Sequence, residues 1–340
     1  MKEESPQMKD IVSVIVPCYN NEQTINRCIK SIYWQECNCT IELIVVDDGS
    51  SDSSKEEIGK WIPIFANKGH ILKYIYQENQ GPGSAINTGL KYVTGKYLTL
   101  LDADDCFLHE SIKKRFDYLE TYLEFAGVRT NGWQDKQGER KLFDLDPERN
   151  VNTNLFDGLI GGRATNWAGS YMIRTEILFD FYPTREIYAS RFGQHMQLLL
   201  PVAYKNKFGY IDEPLMIYYI QENSHSQAPT LEEQFKKNDY NFYGYYDIYM
   251  HMIDEIIKDR DEHDYYMNII ISWKYKHELN KAMLHKDKGV AEKYFRAYDA
   301  TGRMTLNEKI GYYSKAKPIK AIWLKINRRL GMILRGIRGK

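Results

Sequence analysis

The sequence predicts an α/β protein: a mostly parallel sheet flanked by helices, followed by a helical C-terminal extension. Three observations carry this reading. Short β-branched apolar runs alternate with helical periodicity four times in the first hundred residues, the pattern of a parallel sheet with crossover helices. Small, polar and acidic residues gather after those runs, on the side where open α/β sheets bind ligands. From Thr230 to about Arg303 the chain reads as helical and carries no strand signal.

Each element follows from its residues. Ile11-Val12-Ser13-Val14-Ile15-Val16-Pro17 is a β-branched run closed by proline, hence a strand. Asn20-Asn21-Glu22 opens a helix with Ile25, Cys28, Ile29 and Ile32 on one face. Ile41–Asp47 is the second strand, and Ser51–Ser54 supplies caps for a helix reaching about Phe65. Ile71–Tyr76 is the third strand, Gly81 to Tyr92 the next helix, and the run from Tyr97 the fourth strand. Beyond Asp105 the order loosens. Glu110–Tyr122 reads helical, Phe125–Thr130 extended, and Trp133–Asn150 as a hairpin or loop. Ala168–Ile173 reads as a strand, with Thr175 capping a short helix. Arg191–Tyr204 reads as a helix and Phe208–Ile220 as two short strands.

At 340 residues the chain exceeds one typical domain. The reading divides it into an α/β domain over 1–227, a helical region over 228–314 and a basic tail helix over 315–340. No apolar stretch reaches the length of about 18 residues that a membrane span needs. The start, Met1–Pro6, lacks the apolar core of a signal peptide, and the five cysteines show no zinc spacing. A reduced, cytoplasmic protein is expected. The formal net charge is zero, but nine of the 46 Lys and Arg residues lie between Lys315 and Lys340, where there is no acid. An acidic body therefore carries a basic tail.

The fourth strand runs Tyr97-Leu98-Thr99-Leu100-Leu101 into Asp102-Ala103-Asp104-Asp105. If the strand stays extended, Asp102 and Asp104 point the same way. Together they offer oxygen ligands to a hard divalent cation, which can in turn hold phosphates. An isolated Asp-x-Asp is more often a simple acidic turn. The residues before it reverse that expectation here. Pro17 and Tyr19 follow the first strand, where an aromatic ring can line a base pocket. Asp48 follows the second, where a carboxylate can accept from a nucleobase N–H.

Val12–Glu22, Val46–Asp52 and Leu101–Asp105 are in order and spacing similar to the motifs of the family 2 glycosyltransferases. The likeness is strong over residues 10–106, thinner to 226 and not evident beyond. It implies a GT-A fold, a nucleotide-diphosphate sugar donor, a divalent Mn²⁺ or Mg²⁺ and inversion at the anomeric carbon. By similarity, Asp48 reads uracil or another base and Glu22 sits near the ribose. Asp104 is assigned to the metal, and Asp102 to the ribose hydroxyl or the metal. Gly81 and Gly83 belong to the family's glycine-containing third loop, with close backbone approach to the donor or ordinary helix-start punctuation as the two readings. The chain has Ile86 where members often carry Arg, which puts a basic contact there in doubt.

Inverting transfer needs a general base for the acceptor hydroxyl. The family often supplies an Asp from a Glu-Asp pair opening a helix; the corresponding stretch here holds Gln194 and His195. His195 can accept a proton, its ordinary pKa being about 6.5. A carboxylate elsewhere, Asp157 or Glu186, competes with it, as does a chain that binds donor without efficient transfer. Trp167 offers either a sugar-stacking ring or core filler, with Asn166 beside it to bond hydroxyls. His225, in Asn223–Ser226, offers either a third metal or phosphate contact or a surface imidazole.

In the tail, Ile319, Ile322, Trp323, Ile326, Leu330, Ile333, Leu334 and Ile337 make a helical apolar stripe among Lys and Arg. A basic amphipathic helix of this kind lies in a membrane interface; docking on the protein's own body is the alternative. Nucleic acid is not expected, because no base-stacking motif accompanies the charge. The resulting expectation is a metal-dependent inverting transferase, peripheral at the inner membrane face. It would move a sugar, from UDP by preference, to a lipid-linked or polysaccharide acceptor in glycan assembly. A nucleotidyltransferase is the rival from another class, but no basic glycine-rich first loop is present to hold a triphosphate.

Overall fold

The computed structural model describes residues 10–143, 153–164, 166–220 and 230–316. The N-terminal elements are β1 (Ile11–Cys18), α1 (Ile25–Tyr33), β2 (Thr40–Asp48), α2 (Ser54–Gly59), α3 (Ile62–Asn67), β3 (Ile71–Gln77), α4 (Pro82–Lys91) and β4 (Tyr97–Leu100). Then come β5 (Cys106–Phe107), α5 (Ser111–Thr121), β6 (Phe125–Lys136), β7 (Glu139–Leu142), α6 (Leu155–Ile160), β8 (Tyr171–Arg174), α7 (Thr175–Phe181), α8 (Gln194–Ala203) and β9 (Lys207–Tyr219). Four helices close the described chain: α9 (Leu231–Ile256), α10 (Arg260–Leu284), α11 (Lys288–Ala300) and α12 (Leu306–Ala316).

One sheet orders its strands β3-β2-β1-β4-β8-β6-β9-β5, with β7 paired to β6. The first four strands are parallel; β8 is antiparallel to both β4 and β6. Pro17 stands opposite Val46 and Cys18 opposite Asp47. The carboxyl ends of β1, β2 and β4 therefore open on the same edge. Ile25, Cys28, Ile29 and Ile32 of α1 are fully buried against the sheet, as their helical spacing predicts. Glu42 is buried deep in β2 and accepts from Ser13, Lys73 Nζ (2.7 Å), Thr94 N (2.9 Å) and Thr94 Oγ1 (2.7 Å). Burial pushes its pKa up, but those donors outweigh it and hold the carboxylate below its ordinary range.

Several local expectations change. The helix expected to reach Phe65 is two short helices, α2 and α3, turning at Lys60-Trp61. Trp133–Asn150 begins as a hairpin, in which β6 continues to Lys136 and turns into β7. The two strands expected over Phe208–Ile220 are one strand, β9. It bulges: Thr130 faces Ile211 and Asn131 faces Pro214, so Asp212 and Glu213 are extra residues on its side. The helix expected from Arg191 begins at Gln194, because Gly193 takes a positive φ of 62°. Cys37 and Cys39, 5.2 Å apart at Cα in the turn before β2, are placed as a disulfide where reduced thiols are expected. Cys18, Cys28 and Cys106 are free and buried.

The chain divides into two compact units, Met1–Met252 and Ile253–Lys340. Within the second, Leu279, Ala282, Phe295, Tyr298 and Tyr312 form a small core. Lys276 and Glu308 pair at 2.8 Å beside it. No described helix is long and apolar enough to cross a membrane.

Candidate active site at the carboxyl ends of the strands

The loops after β1 and β2 are zipped together by side chains that accept from backbone N–H groups. Asn20 donates its N–H to Ser50 Oγ (2.9 Å), and Ser51 N–H returns to Asn20 Oδ1 (2.8 Å). Glu22 N–H donates to Asp52 Oδ2, and Ser53 N–H donates to Glu22 Oε2, each at 2.9 Å. Asn20 sits at φ 52°, a left-handed conformation that asparagine tolerates. Glu22 is thus a brace between the two loops. Tyr19, 52% exposed, leaves its ring free at the mouth of this cradle.

Asp48 is 4% exposed, and its carboxylate fixes the next loop. It accepts from Gln77 Nε2 (2.7 Å), Gln80 N–H (2.9 Å) and Gly81 N–H (2.8 Å). Gly81, at φ 90°, is the N-cap of α4. Gly83 is needed for a different reason: a Cβ there would lie 2.6 Å from the Ser190 carbonyl oxygen. Asn87, one turn on, exchanges two hydrogen bonds with the Ile187 backbone, at 2.9 and 2.8 Å. The start of α4 and the approach to α8 are therefore stitched together. Ile86 is buried, and its apolar side chain offers no basic contact at that position.

Asp102 and Asp104 are brought together by a turn rather than by strand pleating. β4 ends at Leu100, and Asp105 N–H donates to the Asp102 carbonyl at 3.0 Å. Asp102 is reached by solvent yet crowded by protein, as at the bottom of a recess. Desolvation first, and the Asp104 charge second, push its pKa up to about 7. Burial likewise raises Asp104, against an opposing pull from Arg27. Asp105 is fully buried: Oδ1 accepts from Tyr219 N–H (3.0 Å), and Oδ2 has no partner among the described residues. Its proton affinity rises through burial and then through its two acidic neighbours. Two carboxylates crowded together at a solvent-reached floor form the oxygen donor set that suits a hard divalent cation. The residues present fit such an ion.

The surrounding supports were not visible in the sequence. Arg27 of α1 donates through Nη2 to the Asp104 carbonyl (2.6 Å) and lies over the Tyr219 ring. Arg115 of α5 is fully buried with no carboxylate partner among the described residues. It donates to Gly169 O (3.0 Å), Tyr171 O (2.9 Å) and Ser111 Oγ (2.7 Å), and burial brings its pKa down to about 9. With a further bond to Thr99 Oγ1 (3.4 Å), it ties the segment entering β8 to β4, the strand that leads to Asp102. Trp167 stacks on Phe143 at 3.8 Å, so one face of its ring is covered within the protein; Asn166 Oδ1 accepts from Ser170 Oγ (3.3 Å).

His195 occupies the first turn of α8 and is partly buried. Desolvation lowers its pKa to about 4, so the imidazole is neutral near pH 7. Gln194 beside it donates Nε2 to the Ser190 carbonyl (2.9 Å) and so secures the turn. The competing carboxylates are engaged elsewhere. Glu186 pairs with Lys91 in an exposed ion pair (2.9 Å), and Asp157 accepts from Asn154 Nδ2 (2.8 Å) in the cap of α6. His225 and the tail helix lie outside the described residues.

This arrangement has known counterparts. The family model for glycosyl transferase family 2 matches residues 13–187, half of the chain, including all three loops described above. The chain belongs to the family 2 glycosyltransferases. Among family relatives, the glycosyltransferase GlyA of Streptococcus pneumoniae is 37% identical over 113 residues, 33% of this chain and 16% of its own. The putative glycosyltransferase EpsH of Bacillus subtilis is 30% identical over 168 residues, 46% of this chain and 45% of its own. The minor teichoic acid biosynthesis protein GgaA of B. subtilis is 32% identical over 136 residues, 38% of this chain and 30% of its own. The chain thus spans less than half the length of these curated relatives.

Among solved structures, S. aureus TarS 1-349 in complex with UDP-GlcNAc has a TM-score of 0.61 at 20% identity. The match covers 94% of this chain and 92% of that one. The mannosyltransferase PcManGT of Pyrobaculum calidifontis, in complex with GDP-Man and Mn²⁺, has a TM-score of 0.51 at 15% identity, covering 94% and 88%. These likenesses establish the GT-A architecture of this family 2 glycosyltransferase, with its C-terminal helices.

Proposed function

We propose that the chain is a metal-dependent, inverting transferase. It moves a sugar from a nucleotide-diphosphate donor, a UDP-sugar, to a lipid-linked or polysaccharide acceptor in capsule, exopolysaccharide or cell-wall glycan assembly. The observation that carries this reading is the Asp102–Asp104 pair, two crowded carboxylates at the open edge of a family 2 domain. Structural neighbours, one in complex with UDP-GlcNAc and another with GDP-Man and Mn²⁺, support a sugar nucleotide and a cation.

In this reading Pro17 and Tyr19 line the base pocket and Glu22 stands near the ribose. Asp48 presents the base side of the cradle, with Gly81 bringing backbone close to the donor. Asp102 and Asp104 would hold Mn²⁺ or Mg²⁺, with Asp102 assigned to the ribose hydroxyl or the metal and His225 to a third metal or phosphate contact. The bound cation neutralises charge on the departing diphosphate. His195, neutral near pH 7, takes the proton of the acceptor hydroxyl as its oxygen bonds to the anomeric carbon. The bond from that carbon to the diphosphate oxygen breaks on the opposite face, and UDP leaves. The 315–340 tail holds the enzyme at an anionic membrane surface on the cytoplasmic side, where a lipid-linked acceptor resides.

The test is a panel of UDP- and GDP-sugars assayed by nucleotide release, with membrane extract as acceptor and Mn²⁺ or Mg²⁺ present. UDP release without pyrophosphate is expected, and Asp104→Ala should reduce it by about a hundredfold or more. An Asp104→Ala enzyme with undiminished metal-dependent turnover would sink the assignment.

A further inference from the structure

One face of α9 clasps the turn that opens α8. Phe192 packs against Gly244, where a Cβ would lie 2.2 Å from its ring, and Gly193 packs against Ile248. Two tyrosines flank this ridge. The Tyr240 ring is 5.1 Å from that of Phe192, and the Tyr245 ring 5.8 Å. Phe192 thus backs both rings, yet they remain open to solvent, Tyr240 61% and Tyr245 41% exposed. Two exposed rings on one fixed backing offer a surface on which a ligand can lie.

Their position says what that is. Tyr245 is close enough to Asp102 for the carboxylate's charge, after desolvation, to raise its phenol pKa. Tyr245 is also 41% exposed and Asp102 is open to solvent, so both face water at this end of the domain. His195 lies three residues along from Phe192. An open tyrosine offers an apolar ring face and a hydroxyl, which matches the alternating C–H and O–H surface of a pyranose.

We propose that Tyr240 and Tyr245 form the platform on which a pyranose ring of the acceptor glycan lies, its free hydroxyl directed toward Asp102 and His195. This assignment names the acceptor subsite and rests on the transferase reading above. It requires the acceptor's receiving unit to be a ring sugar rather than an open-chain polyol phosphate.

The test separates the two readings because acceptor binding is measured without donor. Methyl β-glycosides of glucose, galactose and N-acetylglucosamine, and ribitol 5-phosphate, are titrated into the full chain by saturation-transfer NMR. UDP affinity is measured separately by calorimetry. At least one pyranoside is expected to bind wild type in preference to ribitol phosphate. Tyr240→Ala and Tyr245→Ala should each weaken it by about five- to tenfold, with UDP affinity unchanged. Tyr245→Phe and Tyr240→Trp keep a ring on the Phe192 backing; retained binding in these variants distinguishes stacking from a folding defect. Ribitol phosphate binding alone, no pyranoside binding, or equal pyranoside affinity in the alanine variants overturns the proposal. Absence of UDP binding in wild type would instead count against the donor reading.

Discussion

The Arg27 guanidinium lies 3.7 Å from the centroid of the Tyr219 ring and donates to the carbonyl of Asp104. Asp105, next in the chain, accepts from the N–H of the same Tyr219. Helix α1, the acidic turn and the end of β9 therefore meet at one point. Arg27→Ala removes the stacking and the hydrogen bond while leaving every carboxylate in place. We expect Mn²⁺ affinity, measured by calorimetry, to fall about tenfold, with global stability little changed because Arg27 is exposed. Unaltered Mn²⁺ affinity would show that the acidic turn holds its shape unaided.

The crowded pair makes cation binding pH-dependent. With its folded pKa near 7, Asp102 binds a proton more tightly in the metal-free fold than in the unfolded chain. Its contribution therefore favours the fold at low pH and is lost as pH rises through about 7. A cation reverses this, since it needs the ionised form. Mn²⁺ should raise the melting temperature more at pH 8 than at pH 6, the proton competing at the lower value. Equal shifts at both pH values would contradict the assignment of Asp102.

His195 titrates far below neutrality, so it supplies no acid limb to a rate profile between pH 5 and 8. A limb near pH 7 that weakens as Mn²⁺ is raised would instead fit proton competition with the cation at Asp102. His195→Ala should lower kcat by about a hundredfold or more while leaving UDP affinity intact and the limb in place. Near-normal kcat in this variant would return the proton-acceptor role to another residue.

Asp48 predicts a measurable structural cost. Its replacement by alanine takes the carboxylate acceptor from the part-buried N–H bonds of Gln80 and Gly81. We expect roughly 3 kcal/mol of destabilisation in urea unfolding, together with weakened nucleotide binding through the loosened third loop. Asp48→Asn keeps one acceptor oxygen and should recover part of both.

The parallel half of the sheet was legible because each strand and helix there declares itself locally. Ile11–Pro17 is β-branched throughout, and the α1 stripe of Ile25, Cys28, Ile29 and Ile32 needs no distant partner to be recognised. Asp48, Asp102 and Asp104 stand out locally in the same way, Asp48 as the last residue of β2 and the other two in the turn after β4. β9 was not. Asp212, Glu213 and Pro214 read as a strand break, but a bulge absorbs them opposite Thr130 and Asn131. Arg27 and Tyr219 are separated by most of the domain, and Tyr245 belongs to a helix whose pattern shows only amphipathicity. Contacts created by the fold between such positions leave no period in the sequence. Trp167 offers a stacking ring in the sequence, but Phe143, from beyond the β6–β7 turn, covers one of its faces.

Gly83 passes under the Ser190 carbonyl with no room for a methyl group, and Asn87 fastens the same two segments one turn further on. The loop beside the proposed donor cradle and the stretch leading to His195 thus cannot drift apart independently. A substitution at Gly83 would disturb the seat of the leaving group and the approach of the incoming hydroxyl together. On the proposed acceptor platform, by contrast, a change at an outlying ring such as Tyr240 leaves that crossing untouched.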